Sequence, residues 1–230
     1  MGVIDDLRQI APRQHFRSMS HPDQLWRASL LHDCPRKQLL VASGIDLAKS
    51  DGLLRKLSMR SGAHDNVQQW LQECLGGRYD SMVMERPIYD PETRCGGHVD
   101  AIVKADGAAY VIEIKTYAFL RGDPSENSYW KHQISFYYNT LQAESVVIPI
   151  VMIVTLEGQV RVIEPAVTTD YRGILSGLNV AWETGVLPAY ADCRSESCKK
   201  CPLAMVCTEP VETISDFAAM VTERSIADAG

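Results

Sequence analysis

The sequence predicts an α/β fold in which a mixed central sheet is flanked by helices. The dipeptide Asp106-Gly107 predicts a two-residue hairpin turn, because both central positions of that turn need a positive φ. The apolar, β-branched run from Val146 to Thr155 has the composition of a central strand. Helical patterns at 61–75 and 170–186 lie on either side of these strands and supply the flanking layers.

Length and composition allow one buried core, since the chain has 230 residues and 46% hydrophobic content. The formal net charge of −6 does not indicate a nucleic-acid binder, although a carboxylate site adds negative charge that bound cations offset. No apolar run reaches membrane-spanning length and the first residues lack a signal-peptide pattern, which predicts a cytoplasmic protein with no membrane partner. In that reducing compartment, seven cysteines favour metal ligation over disulfides.

The first part of the chain predicts two helices and three strands. Residues 25–41 have a helical pattern with Cys34-Pro35 near its middle or at a break, since proline disfavours a helix interior. Residues 61–75 have helical spacing that ends at Gly76-Gly77. Residues 81–89 form the first predicted strand, and the hairpin around Asp106-Gly107 supplies two more.

The second part begins with a helix whose start signals are clear. Asp123 is the predicted N-cap, Pro124 the first helical residue and Glu126 the reciprocal capping partner, with the helix running to Gln142. After the central strand we expect a turn, a short strand and two helical segments, at 157–158, 160–163, 170–186 and around Ile214, Phe217 and Val221.

Three charged residues of the hairpin are predicted to converge. Counting outward from the turn places Asp100 opposite Glu113, and strand alternation puts Lys115 on the same face as Glu113. Charge in such an apolar sheet has to bind something or do chemistry. Two acids and a lysine suit Mg²⁺- or Mn²⁺-assisted phosphodiester hydrolysis, since hard cations prefer oxygen ligands. The alternative is a surface hairpin whose charges point to solvent.

The same residues carry a resemblance to a known family. Gly97-x-x-Asp100 followed by Glu113-Ile114-Lys115 resembles the second and third motifs of the PD-(D/E)xK nuclease superfamily, in its RecB-type exonuclease branch. Gly62-Ala63-His64 resembles the branch's histidine motif on the preceding helix. Gln133 and Tyr137 match its Gln-x-x-x-Tyr motif, and their spacing puts them on one helical face.

The resemblance implies a role for each matched residue. Asp100 and Glu113, with His64 and the main-chain carbonyl of Ile114, would ligate the metal, and Lys115 would act on water or phosphate. Gln133 and Tyr137 would complete the catalytic set by positioning substrate or supporting the site. His98 falls opposite Lys115 in the same register, and we assign it no role.

The cysteines near the C-terminus have metal-ligand spacing. Cys193, Cys198, Cys201 and Cys207 are close enough in sequence to wrap one centre, and thiolate-only sites bind zinc or iron–sulfur clusters. Spacing alone does not choose between these two. Cys74 is expected to be a buried helix residue. Cys95 is expected to be a strand residue close enough to the site to be a reactive thiol.

A second resemblance favours the iron–sulfur alternative. CRISPR-associated RecB-like exonucleases carry one cysteine before the nuclease core and three after it, and the four hold a [4Fe–4S] cluster. Cys34 and the Cys198-x-x-Cys201 segment with Cys207 are similar to those flanks. The resemblance therefore implies that Cys34, Cys198, Cys201 and Cys207 bind the cluster, joining the N- and C-terminal segments. The rival is a local zinc site that uses Cys193 instead of Cys34.

The resemblance implies a single nuclease domain over residues 1–230. The N-terminal helical part with the first cysteine covers 25–60, and the nuclease core covers 61–165. The C-terminal helix with the cysteine cluster covers 166–210, and an extension covers 211–230. The implied activity is a metal-dependent DNA exonuclease acting on single strands or free ends, with 5′-to-3′ polarity. Helicase, recombination or CRISPR-adaptation proteins are the implied partners. The alternative is a non-catalytic or structure-specific DNA-binding or endonuclease subunit of such a complex.

Overall fold

The computed structural model describes residues 19, 21–31, 34–45, 51–117, 128–189, 203, 207 and 209–227. Side chains at 51–60, 128–129 and 224–227 are outside that description. The strands are β1 (Trp26–Arg27), β2 (Ser81–Asp90), β3 (Cys95–Ala105), β4 (Ala108–Tyr117), β5 (Val146–Thr155) and β6 (Val160–Ile163). The α-helices are α1 (Pro35–Ala42), α2 (Asp51–Leu75), α3 (Ser128–Leu141), α4 (Asp170–Thr184) and α5 (Ile214–Ala227), and a 3₁₀ turn covers Ala28–Leu30.

The strands form one six-stranded sheet, which is mixed as the sequence predicted and includes the unpredicted strand β1. β3 pairs antiparallel with β2 along one edge, from Cys95 to Lys104. Two strands pair with the other edge of β3. β4 pairs antiparallel with it from Ala101 to Ala105, and β1 pairs in parallel at Cys95 and Gly96. β4 continues the sheet in parallel to β5, and β5 pairs antiparallel with β6. Along the shared edge, residues 97–100 therefore have no strand partner among those described.

Helices cover both faces of the sheet. Ile112 packs in one apolar group with Leu71 of α2, whereas its neighbour Val111 packs in the larger core with Trp130 of α3. Adjacent residues of a strand point to opposite faces, so α2 and α3 lie on opposite sides of the sheet. The larger core also takes in buried side chains of α1, α4 and α5.

The hairpin is confirmed with the predicted turn. Asp106 has a φ of 51° and Gly107 a φ of 76°, and Ala105 pairs with Ala108. The predicted strand at 81–89 and the central strand from Val146 to Thr155 are also present. The turn at 157–158 leads into β6, and the helix predicted at 170–186 ends at Thr184.

The helix predicted over 25–41 is wrong before Cys34 and present after it, so the alternative of a break at Cys34-Pro35 is confirmed. Trp26 and Arg27 pair with β3 as a short strand, and the helix begins only at Pro35. Pro35 takes the first helical position, where its missing N–H removes no hydrogen bond, and Cys34 is the N-cap. The helix predicted at 61–75 starts earlier, at Asp51. The start signals predicted at 123–126 lie outside the described residues, and no helix in the described part of the chain is long and apolar enough to cross a membrane.

Candidate metal centre

The carboxylate of Asp100 lies at the opening between β3 and β4. Asp100 is fully buried, and its Oδ2 accepts a hydrogen bond of 2.7 Å from the backbone N–H of Ile114. The ladder between the two strands stops one residue earlier, at Ala101 and Ile112. Ile114 thus bonds to a side chain where a continuing ladder would offer it a backbone carbonyl. The strands open at the predicted position of Asp100 and Glu113, and the opening is filled by a carboxylate.

His64 reaches the same carboxylate from α2. Its Nε2 lies 3.1 Å from Oδ2 of Asp100, and its side chain is 15% exposed. One helical turn further on, Gln68 donates a hydrogen bond from Nε2 to Oε1 of Glu85 on β2. Residues four apart share a helix face, so α2 presents an imidazole and an amide to the site together.

Glu85 belongs to the candidate site, although the sequence did not predict it. In the β2–β3 register, Met84 pairs with Ala101 and Arg86 with Val99, which brings Glu85 level with Asp100. Glu85 itself is skipped by the ladder and has a φ of 50°, a left-handed conformation that is uncommon outside glycine. The turn at 91–94 could have predicted this position from the sequence. If Asp90 pairs with Cys95, counting back along β2 and forward along β3 places Glu85 opposite Asp100.

His64, Glu85 and Asp100 together form what we call the histidine–carboxylate group. One ligand atom from each lies within 4.8 Å of the others, which is the spacing of residues that share a metal ion. No cysteine belongs to it, and among the described residues it is the single set of three or more His, Cys, Asp or Glu side chains with this spacing. The chain therefore has a candidate acidic metal site at the predicted place.

Lys115 is held in a fixed position on the other side of the opening. Its Nζ lies 2.6 Å from Oε1 of Glu113 and 2.9 Å from Oε1 of Gln133 on α3. Burial acts to lower the pKa of Lys115, but the charge and hydrogen bond of Glu113, followed by the charges of Asp100 and Tyr117, raise the pKa above its usual value. Asp100 accepts the N–H of Ile114, which lies between Glu113 and Lys115 in the strand, so the two halves of the site are adjacent.

Tyr137 closes the open edge of β3. Gln133 donates from Nε2 to the hydroxyl of Tyr137 over 3.1 Å, and that hydroxyl donates to the backbone carbonyl of His98 over 2.9 Å. Gly97 makes this approach feasible, since a Cβ there would lie 2.7 Å from the tyrosine oxygen. A continuous hydrogen-bond path thus runs from Lys115 through α3 to the backbone beside Asp100.

The predicted site residues therefore fall into two connected sets. His64 and Asp100 meet with Glu85, while Glu113, Lys115, Gln133 and Tyr137 are joined by hydrogen bonds. The ligand roles predicted for Glu113 and the Ile114 carbonyl, and the catalytic roles, stay predictions. The carbonyl of His98 anchors Tyr137, a role for its backbone that the sequence did not indicate.

Arg36 connects the start of α1, beside Cys34, to the backbone of Cys207. Cys34 precedes α1 and is half-buried, and Cys207 is buried. Arg36 donates from Nη1 to the carbonyl of Cys207 over 2.9 Å and from Nε to the carbonyl of Pro188 over 2.7 Å. The remaining predicted ligands and the zinc rival lie outside the described residues, at Cys193, Cys198 and Cys201.

The structure does not favour Cys95 as a reactive thiol. Its side chain is fully buried, and its pKa is well above the ordinary value, first because of burial and then because of the Asp90 charge. A hydrogen bond from the backbone of Gly96 opposes this only in part. Cys74 lies on α2 as predicted but is half-buried.

Comparisons with known proteins show a shared fold and no family. No family model matches the chain, and no curated protein matches it. Fourteen solved chains match, among them one titled "Crystal structure of SSO0001" with a TM-score of 0.56 and 17% sequence identity. That match covers 92% of this chain and 98% of the other. At this identity, the likeness shows a shared fold: an α/β architecture with a mixed central sheet flanked by helices.

Proposed function

We propose that this protein is a metal-dependent nuclease that hydrolyses phosphodiester bonds in DNA, on single strands with free ends. The observation that carries the proposal is the histidine–carboxylate group, whose ligand atoms lie within 4.8 Å of one another beside a fixed lysine. The resemblance of the hairpin motifs to the PD-(D/E)xK superfamily supplies the substrate class and the 5′-to-3′ polarity. The shared fold with SSO0001 is compatible with both.

The donor set of the site fits Mg²⁺ or Mn²⁺. Two carboxylates offer hard oxygen ligands, and the imidazole of His64 is a donor that Mn²⁺ accepts readily. Glu113 and the carbonyl of Ile114 remain our proposed additional ligands. A bound cation would polarise the scissile phosphate and lower the pKa of a coordinated water.

The protein's own residues supply orientation and charge. The N–H of Ile114 holds the carboxylate of Asp100, and Gln68 holds that of Glu85, so neither side chain has to reorganise before binding. Lys115 is held between Glu113 and Gln133 as a hydrogen-bond donor. From there its ammonium group would stabilise negative charge that develops on the phosphate.

Two substitutions test the proposal against matched controls. Asp100→Asn and Lys115→Ala should each lower degradation of end-labelled single-stranded DNA by about 100-fold or more. Asp106→Asn and Lys104→Ala are the controls, because both residues are exposed on the same hairpin and an Asn-Gly turn is equally favourable. Circular dichroism of each variant verifies folding.

The outcomes separate the alternatives. Loss of activity with both site variants and not with the controls supports the proposal. A wild-type protein that leaves every linear and circular DNA intact with Mg²⁺ and with Mn²⁺ would overturn it. Cleavage of circular single strands would replace the exonuclease with a structure-specific endonuclease, and labels at the 5′ or 3′ end report polarity.

We also propose that Cys34, Cys198, Cys201 and Cys207 hold a [4Fe–4S] cluster that joins the two ends of the chain. Support comes from Arg36, which ties the segment of Cys34 to the backbone of Cys207. Protein purified without oxygen should be brown and should contain iron and sulfide. A colourless protein with one zinc per chain would contradict the iron–sulfur assignment. It would favour the rival zinc site, in which Cys193 replaces Cys34 as a ligand.

A further inference from the structure

Strand β6 forms an exposed edge of the sheet. Among the strands that the structure describes, it pairs only with β5. Val160 is 44% exposed and Val162 is 64% exposed, fractions that a further neighbouring strand would reduce. An edge strand of this kind presents unpaired backbone N–H and C=O groups, which can pair with an additional strand.

The hairpin between β5 and β6 fixes which backbone groups face outward. Thr155 donates its N–H to the carbonyl of Gln159 over 3.0 Å. Hydrogen-bonded and non-hydrogen-bonded pairs alternate along an antiparallel ladder, so Arg161 is the next residue of β6 that bonds to β5. The N–H and C=O groups of Val160 and Val162 therefore point away from β5, towards the open edge.

The two faces of β6 differ in chemistry. Val160 pairs with Val154 and Val162 pairs with Met152, and both partners belong to the apolar group beneath α2. Paired residues share a face of the sheet, so the two valines lie on the α2 side. Arg161, between them in the sequence, is exposed on the opposite side. The edge is thus apolar on one face and positively charged on the other.

An open cleft begins beside Val162 on the apolar face. Its volume is about 530 Å³, and its lining includes Leu75 of α2, Tyr110 of β4 and Ile150 of β5. Diagonal neighbours across a strand pair are about 7–8 Å apart, which aromatic and long side chains can span. A strand beside β6 could therefore extend large apolar side chains towards the cleft.

Arg161 opposes pairing between two copies of this chain. A symmetric pair that uses the outward groups of both valines would place each Arg161 directly opposite the other. The two Cα atoms of such a pair are about 4.5 Å apart, and like charges there are destabilising. An acidic residue in the same position would be attracted instead.

We infer that β6 binds an extended segment of another protein as an additional antiparallel strand. The segment has the pattern apolar–acidic–apolar. Its backbone pairs with Val160 and Val162, its acidic residue lies opposite Arg161, and its apolar residues face the cleft. The inference does not depend on the proposed nuclease activity.

A labelled peptide tests backbone pairing. The probe is fluorescein-labelled Ser-Thr-Phe-Glu-Leu-Thr-Ser, and its fluorescence anisotropy with the full chain gives the affinity. Val162→Pro should weaken binding by about tenfold, because it removes an outward N–H that β5 does not use. Val162→Thr is the matched control, since it keeps that N–H and should weaken binding less. Circular dichroism verifies that both variants fold.

A charge exchange tests the role of Arg161. Arg161→Glu should weaken binding of the Glu peptide by about three- to tenfold. It should strengthen binding of the same peptide with Lys in place of Glu by a similar factor. An exchange of preference of this kind cannot come from a loss of folding.

Three results would overturn the inference. The first is a wild-type protein without saturable binding at about 1 mM peptide. The second is equal binding by Val162→Pro and Val162→Thr, or an unchanged preference in Arg161→Glu. The third is a wild-type dimer in sedimentation velocity that becomes monomeric in Val162→Pro, which would assign the edge to a second copy of this chain.

Discussion

A single carboxylate group, that of Asp100, serves both the fold and the candidate site. It accepts the N–H of Ile114, which closes the opening between two strands, and it lies 3.1 Å from the imidazole of His64. A substitution that removes its oxygens would disturb both at once. Asparagine is therefore the informative replacement, because it keeps one acceptor for the backbone while removing the charge that a cation needs.

Cys95 should be unreactive in the native protein. Its raised pKa means that folding favours the protonated thiol, so stability contributed at this position is lost as the pH rises above the pKa of an unfolded cysteine, about 8.5. At pH 8, iodoacetamide should label Cys95 only after unfolding, as mapped by mass spectrometry. Half-buried Cys74 is the internal comparison. Labelling of both at similar native rates would contradict the burial.

At this scale the sequence was informative wherever local geometry decides the contact. Alternation of side chains within β4 predicted that Glu113 and Lys115 share a face, and Nζ of Lys115 lies 2.6 Å from Oε1 of Glu113. The i, i+4 spacing of Gln133 and Tyr137 predicted their contact in the same way. Glu85 was missed because its place depends on the register of a different strand pair and on an unusual backbone conformation.

At the scale of elements, helix α2 and strand β2 form one wall of the candidate metal centre. The helix contributes His64 and Gln68 from one face, and the strand contributes Glu85. The helical spacing of 61–75 was readable from the sequence. The short strand at Trp26 was not, because two residues carry no periodicity and their pairing is set by β3.

Gln68→Ala should weaken Mn²⁺ binding by about tenfold, since the carboxylate of Glu85 would lose the amide that orients it. Isothermal titration calorimetry of the full chain gives the affinity. Gln69→Ala is a matched control on the same helix, because Gln69 bonds to Glu73 on the exposed surface. If both variants bind Mn²⁺ equally well, Gln68 has no part in positioning the site.

At the scale of the whole molecule, the C-terminal helix belongs to the main core. Phe217 of α5 is fully buried, and Ile214 and Val221 are buried beside it in the apolar group that also contains strands of the sheet. The sequence predicted the amphipathic stretch itself. Its partner could not be read, because Phe217 of α5 contacts Arg36 of α1, which lies near the other end of the chain.

Phe217→Ala should therefore destabilise the protein by about 3–5 kcal/mol, through lost burial and the cavity left behind. Urea unfolding measures this difference. Glu223→Ala, an exposed change on the same helix, should shift stability by less than about 0.5 kcal/mol. Equal midpoints for the two variants would mean that α5 is not part of the cooperative core.

The left-handed backbone of Glu85 implies a trade-off between stability and metal affinity. A non-glycine residue at a φ of 50° costs about 1–3 kcal/mol. Glu85→Gly should therefore unfold at higher urea than wild type without metal and yet bind Mn²⁺ more weakly. Glu85→Ala should lose the same affinity without the gain, since its Cβ retains the strain. If glycine and alanine at this position give equal urea midpoints, the strained backbone has no energetic consequence.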